Sequence, residues 1–180
     1  MSDLTAAARR LKLMAFDVDG VLTDGRIYYT DEGIEFKGFN TLDGQGMKML
    51  AGAGVQLAII TGRRSRCVEI RAGNLGIDLL FQGVHDKLAT MRDLVARLGI
   101  GLDEAGYMGD DVVDLPVMQA CGFSAAPANA HAVVRSRSRW LATLKGGEGA
   151  VREMCDAVLD ARGQLDAALA PWLGEADRAG

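Results

Sequence analysis

Asp17 and Asp19 stand two residues apart where the apolar run of LKLMAFDVDGVLTD, Leu11 to Asp24, breaks off. Carboxylates at i and i+2 beyond a buried strand can converge on one cation while one of them stays free as a nucleophile. Alone, D-x-D-G also fits an Asp-Gly turn that closes a core strand. Three later stretches shift the balance: Thr61 in IITGR, Lys87 in VHDKL, and Asp110-Asp111 in GDDVVDLP. Together they make sense for phosphoryl transfer. Asp17 and Asp110, with a backbone carbonyl from the first turn, suit Mg²⁺, which takes oxygen ligands and keeps several waters. Thr61 offers a hydroxyl beside backbone N–H groups at a helix start, a favourable place for phosphate oxygens. Lys87 supplies a point charge for phosphate and restrains carboxylates that would otherwise raise one another's pKa. Asp17 can then form an aspartyl phosphate, with Asp19 protonating the leaving alcohol and later activating water.

These groups lie far apart in the chain, so the fold must gather them. Apolar runs at Leu11–Phe16, Val55–Ile60, Leu79–Phe81, Ala105–Met108 and near Phe123–Ala125 read as strands, several buried on both faces. Helices are expected through Met47–Ala53, after Arg63 to about Leu75, over Lys87–Leu98, from Asp111 to about Ala120, and around Val151–Leu159. This alternation predicts a single α/β domain over residues 1–180, a doubly wound parallel sheet. Right-handed crossovers put every strand's carboxyl end on one edge, where the polar residues recur. Residues 26–39, RIYYTDEGIEFKGF, read as a β-hairpin around Thr30–Gly33. It carries more apolar surface than a solvated ribbon should, so it packs on its own domain or on copies of itself. Asn40–Gly46 reads as a polar, Gly-rich turn, residues 1–10 as a frayed or helical leader, and residues 164–180 as a tail of unassigned structure.

The chain has 180 residues, 49% of them hydrophobic, and a net charge of −4. Nothing in that balance favours nucleic acid or an anionic membrane as a partner. No apolar run approaches the roughly 20 residues of a bilayer span, and the N-terminus lacks the apolar core of a signal peptide. Cys67, Cys121 and Cys155 are odd in number and widely spaced, as free thiols of a reducing cytoplasm are. His85 and His131 carry no motif.

FDVDGVLT, IITGR, Lys87 and GDDVVDLP, in that order and each after a strand, resemble the four motifs of the haloacid dehalogenase (HAD) superfamily of phosphatases over residues 11–160. The resemblance implies Asp17 as nucleophile and metal ligand, Asp19 as acid/base with a carbonyl on the metal, and Asp110 as the remaining metal carboxylate. Asp111 and Asp114 fit either partners of the metal site or a helix cap. There is no room between the motifs for a cap domain, so another subunit is expected to close the site.

FKGFNTLDGQGMK, IITGRRSRCVEIR, FQGVHDKL, YMGDDVVDLPVM and GGEGAVREM are similar to the capless tetrameric group typified by the 3-deoxy-D-manno-octulosonate 8-phosphate (KDO 8-P) phosphatases of lipopolysaccharide synthesis. That likeness implies a cytoplasmic homotetramer built on the hairpin, acting on a phosphorylated sugar acid. It assigns substrate contacts to Asp19, Asn40, Thr41, Leu42, Asp43, Gly44, Lys48, Arg63, Arg71 and Lys87. Lys48 and Arg71 equally fit solvated helix faces. Leu42 departs from the group's usual Arg, and GGEG either lines the site or starts a helix. Sister phosphatases acting on the nine-carbon KDN 9-phosphate tend to carry Glu where Arg63 stands, so the eight-carbon substrate is favoured. A receiver-type phosphoacceptor module would place its acid pair before the phosphorylated Asp, the reverse of the order here. A non-catalytic phosphate-binding protein has no need of intact Asp, Thr and Lys positions.

Overall fold

A computed structural model describes residues 3–174. Six parallel strands form one sheet in the order β5-β4-β1-β6-β7-β8. The strands are β1 (Leu13–Phe16), β4 (Gln56–Thr61), β5 (Leu79–Gln82), β6 (Ala105–Met108), β7 (Phe123–Ala126) and β8 (Trp140–Leu141). Pleating sends alternate side chains to opposite faces, and both faces of this sheet are covered. Met14 and Phe16 of β1 join Leu57 and Ile59 in one core, under α2 (Thr41–Gly52) and α7 (Ala150–Ala161). Leu13 and Ala15 join Ala58, Ile60 and Tyr107 in the other, under α4 (Lys87–Leu98) and α5 (Leu115–Ala120). That double burial is why these strands read as continuous apolar runs rather than alternating ones.

The chain builds outward from β1 to β4 and β5 on one side, then returns to lay β6, β7 and β8 on the other. The reversal leaves a crevice beyond the carboxyl end of β1, between β4 and β6. α3 (Arg66–Leu75) ends on Gly76 with φ 70, and α4 ends on Gly99 with φ 67, the left-handed stops that glycine takes most easily. The hairpin exists as β2 (Tyr28–Tyr29) and β3 (Glu35–Phe36), a ladder of only two antiparallel pairs within 26–39. The rings of Tyr28 and Phe36 stack across it with centroids 5.2 Å apart.

Asn40–Gly46, read as a turn, is mostly helix. Asn40 is the N-cap of α2, its Oδ1 accepting the Leu42 N–H at 2.8 Å. Glycine inside a helix costs about 1 kcal/mol against alanine, which is why the stretch reads as a break. Both glycines are sites of close approach instead. A Cβ on Gly44 would lie 2.2 Å from Arg71 Nη2, and one on Gly46 would lie 2.7 Å from Arg152 Cδ of α7. Three short or unpatterned elements escaped the periodicity: β8, α6 (Ala132–Arg135) and α8 (Leu165–Leu173), the last inside the 164–180 tail. The leader holds α1 (Asp3–Arg10). The ends of the tail and of the leader, 175–180 and 1–2, lie outside the described residues.

Asp43, expected on the substrate, is 2% exposed and faces the start of α7 instead. Its Oδ1 accepts the Arg152 N–H at 2.8 Å, and the N–H groups of Gly149 and Val151 also favour its charge. Burial still outweighs them and raises its pKa. It is a cap supplied by one helix to another. Asp43→Ala is expected to lower stability by about 1–2 kcal/mol, read as a fall in the urea midpoint at an unchanged slope.

Candidate active site

Each polar group at the crevice is placed by a different strand end. Asp17 continues β1, and its N–H donates to Met108 O of β6 at 3.0 Å, so the ladder carries it to the sheet edge. The following turn is anchored by buried Val18, Val21 and Leu22, and by N–H groups of Val21, Leu22 and Thr23 that all donate to Val18 O. Gly20 sits at φ 95, and a Cβ there would fall 2.0 Å from Asp110 Oδ2. Only glycine lets the β1 turn and the β6 turn approach this closely.

Thr61 ends β4 and is 2% exposed. Lys87 opens α4, whose N-cap Asp86 accepts the Ala89 N–H at 2.9 Å. Its buried Nζ lies 3.0 Å from Asp17 Oδ2 and 2.6 Å from Asp114 Oδ1. Asp114 is fully buried and spends both oxygens. Oδ1 accepts Lys87 and the Tyr107 hydroxyl at 3.2 Å, and Oδ2 accepts the N–H groups of Asp110 and Asp111 at 3.1 and 3.2 Å. The one proton of the Tyr107 hydroxyl is shared with Ile60 O, at the shorter distance of 2.9 Å, which ties β6 to β4 just before Thr61. Burial first, then the nearby carboxylates, keep that phenol protonated.

Oxygens of Asp17, Asp110 and Asp114 all lie within 4.8 Å of one another. Asp17 Oδ1 is buried with no hydrogen-bond partner. Since Asp114 is fully engaged, the oxygens left to face a cation belong to Asp17 and Asp110, the one or two carboxylates that Mg²⁺ usually takes. An orphaned buried oxygen beside a second carboxylate fits a hard divalent ion. Burial and the charges of Asp17, Asp114 and Asp111 push Asp110 up to about 7. Asp17 is raised too, by burial and by Asp114. Burial works against the charge on Lys87, but Asp17 and Asp114 outweigh it and raise its pKa.

The carboxylate of Asp19 is not one of the three clustered carboxylates. Its side chain turns away from the cluster to Lys37 and Arg63, leaving its main-chain carbonyl as the atom that the family likeness assigns to the metal. Asp111 caps the turn after it, Oδ1 accepting the Val112 N–H at 2.7 Å. The cleft over these groups encloses about 440 Å³ and is lined by Asp17, Asp19, Thr61, Arg63, Lys87 and Asp110, among others.

The remaining sequence candidates sit apart from that cleft. Asn40 donates to Gly147 O at 3.3 Å and its own carbonyl accepts Arg71 Nη2 at 2.9 Å. Thr41 and Leu42 are exposed on the first turn of α2, Gly44 lies under Arg71, and Lys48 lines a separate cleft of about 500 Å³ against α8. Gly146 and Gly147 do more than start α7: Gly147 N donates to Val21 O at 3.0 Å, so the GGEG turn braces the β1 turn. Sequence reasoning missed His85 and Val113 on the cleft wall and the buried Lys37 beside it. The proximity of His85 to Lys87 was the one available signal; an exposed valine and a lysine on a hairpin give none.

The model of the haloacid dehalogenase-like hydrolases matches residues 70–154. The 3-deoxy-D-manno-octulosonate 8-phosphate phosphatase KdsC of Escherichia coli (strain K12) is 44% identical over 167 residues, 93% of this chain and 89% of that protein. The crystal structure of the Moraxella catarrhalis KDO 8-phosphate phosphatase, in complex with magnesium, phosphate and KDO, superposes with a TM-score of 0.93 at 42% identity, covering 96% of this chain and 99% of that one. The cobalt-bound Haemophilus influenzae phosphatase gives a TM-score of 0.86 at 40% identity, over 89% of this chain and 94% of its own.

The raised carboxylates carry a sign. Asp110 has a folded pKa above its unfolded value, so between about pH 4 and 7 the native state binds the extra proton and metal-free stability falls as pH rises. Added Mg²⁺ should therefore raise the melting temperature more at pH 8 than at pH 6, where protons compete for the same oxygens. Thermal scans with and without the ion at the two pH values check this.

Proposed function

The chain belongs to the KDO 8-phosphate phosphatase family of haloacid dehalogenase-like hydrolases, and from that membership we propose that it hydrolyses 3-deoxy-D-manno-octulosonate 8-phosphate to KDO and phosphate. The observation that carries the reading is the orphaned Oδ1 of Asp17, held beside Asp110 while Lys87 takes Oδ2 at 3.0 Å. In this reading Asp17 attacks phosphorus, the bond from phosphorus to the sugar oxygen breaks, and Asp19 gives that oxygen its proton. Asp19 then takes a proton from water as the water oxygen attacks the aspartyl phosphate, releasing inorganic phosphate and restoring Asp17. Asp17, Asp110 and the Asp19 carbonyl would hold Mg²⁺, which when bound would supply positive charge against the phosphoryl oxygens. Thr61 and Lys87 hold those oxygens in place, Asp111 and Asp114 orient the metal site, and Arg63 meets the sugar acid at the rim. Asn40 and Arg71 act one layer further out, through the α2 start.

The eight-carbon substrate is supported by relatives named for it and by arginine rather than glutamate at residue 63. Phosphate release from KDO 8-phosphate is expected to exceed that from KDN 9-phosphate at least about tenfold in kcat/KM. Asp17→Asn should abolish turnover of both while leaving the melting temperature near wild type. Preference for the nine-carbon ester would reassign the substrate, and turnover by the variant would remove Asp17 from its role.

We further infer a cytoplasmic homotetramer assembled through the hairpin. Ile27, Tyr29, Ile34 and Phe36 are all about half exposed or more, an apolar patch on an element too short to stand alone. Ile34, 63% exposed, makes the cleanest probe, because Tyr28 and Tyr29 use their hydroxyls within the chain. Ile34→Asp should reduce the sedimentation coefficient toward that of a monomer; a wild-type profile would place the interface elsewhere.

A further inference from the structure

Lys37 is a buried charge to which the reaction above gives no part. It follows β3 on the return arm of the hairpin, and its side chain is 1% exposed. Lysine is almost never buried to that degree unless it is paired. Its Nζ donates to Asp19 Oδ1 and lies 3.6 Å from Glu35 Oε1. Arg63 reaches the same two carboxylates from the loop after β4, with Nε 3.5 Å from Asp19 Oδ2 and Nη2 2.6 Å from Glu35 Oε2. Tyr29 accepts a second bond from that guanidinium at 3.3 Å.

The two hands on Asp19 are unequal. Lys37 is enclosed and makes a direct hydrogen bond to Oδ1. Arg63 is 41% exposed, and its contact to Oδ2 is too long to be a normal hydrogen bond. A guanidinium at that distance on the rim can swing to an incoming anion; an enclosed ammonium cannot follow it. Glu35 explains why the ammonium stays. It precedes Lys37 by two residues, on the same side of an extended strand. Its Oε1 is buried without a hydrogen-bond partner and has Lys37 as the cation at 3.6 Å, while Arg63 takes Oε2 at 2.6 Å, so the two cations share the carboxylate. The hairpin thus brings its own counter-ion and lysine to the cleft as a unit.

We propose that Lys37 is a positioning residue for Asp19. The ammonium pins Oδ1, and Oδ2 is left as the oxygen that passes a proton to the departing alcohol. This assignment rests on the reading of Asp19 as the acid/base. It makes the hairpin a supplier of part of the reaction geometry, in addition to any assembly role.

The test separates a geometric role from a merely structural one through the leaving group. A primary sugar alcohol needs a proton as it leaves, whereas 4-nitrophenolate, a weak base, does not. Cleavage is followed in single turnovers of the Mg²⁺-loaded full chain, with enzyme in excess, so that the later water step does not enter. For Lys37→Met, cleavage of KDO 8-phosphate is expected to slow by about ten- to a hundredfold. Cleavage of 4-nitrophenyl phosphate should slow by no more than a few fold, at an unchanged half-saturating enzyme concentration. Lys37→Arg should recover part of the alkyl rate, since it keeps a charged donor. If Lys37→Met does not fold, Lys37→Gln, a neutral donor of similar reach, takes its place. Equal losses on both esters, or none on either, overturn the proposal. Asp19→Asn is run alongside. If it discriminates between the esters and the lysine variants do not, the positioning role alone fails; if it does not discriminate, the acid/base reading fails and takes the Lys37 assignment with it.

Discussion

One ammonium among carboxylates sets the terms for the rest of the molecule. Three carboxylates, Asp17, Asp110 and Asp114, crowd within 4.8 Å with Lys87 as the cation between two of them. Like charges at about 4 Å repel by roughly 4 kcal/mol even at an effective dielectric near 20, so a site of this kind is unstable unless charge is supplied. One ammonium against three carboxylates leaves two negative charges uncompensated. A divalent cation is the smallest addition that closes the balance, and Asp110, pushed up to about 7, is the group that takes a proton when no cation is there. The arrangement is built to be finished by a metal and then by the anion the metal attracts.

Much of the surrounding structure keeps those charges close despite their repulsion. The parallel ladder fixes Asp17 to β6 through its own N–H, and Tyr107 bolts β6 to β4 from within the core. Asp114 takes two main-chain N–H groups from the very turn that carries Asp110, so its charge is held by dipoles as well as by Lys87. Glycine appears where backbone and carboxylate must nearly touch. A Cβ on Gly109 would meet Asp114 at 2.5 Å, and one on Gly146 would meet Gly20 O at 1.8 Å. The Gly146 contact is with main chain, which cannot step aside, and the Gly109 contact is with a side chain that is fully buried and bonded through both oxygens.

The sheet and the cluster were legible because both leave local marks. Strands buried on both faces write unbroken apolar runs, and chemistry at their carboxyl ends interrupts those runs with Asp, Thr and Gly. Asp114 was only half legible: its spacing from Asp110 fits a cap or a metal partner, and the structure makes it the hub for Lys87 and Tyr107. The start of α2 was hidden by Gly44 and Gly46, whose packing against Arg71 and Arg152 comes from helices far along the chain. Lys37 was hidden for the same reason. Lysine in an alternating strand reads as a solvated face, and only the fold of the hairpin over the cleft turns it inward. What escaped the sequence is what long-range packing decides.

The hairpin therefore faces two demands that pull its residues in opposite directions. Ile34 and Phe36 leave on one face and expose apolar surface, while Glu35 and Lys37 turn inward on the other, where Lys37 pairs with both Glu35 and Asp19. Alternation along a strand lets one short ribbon meet both, because neighbouring side chains leave on opposite faces. Arg63 sits at the junction, bonded to Tyr29 and Glu35 of the ribbon and reaching Asp19 in the cleft. Any subunit that packs on the outer face also limits how far the inner face can move. In a fold with no inserted cap, the assembly proposed above would thereby bear directly on the geometry of Asp19.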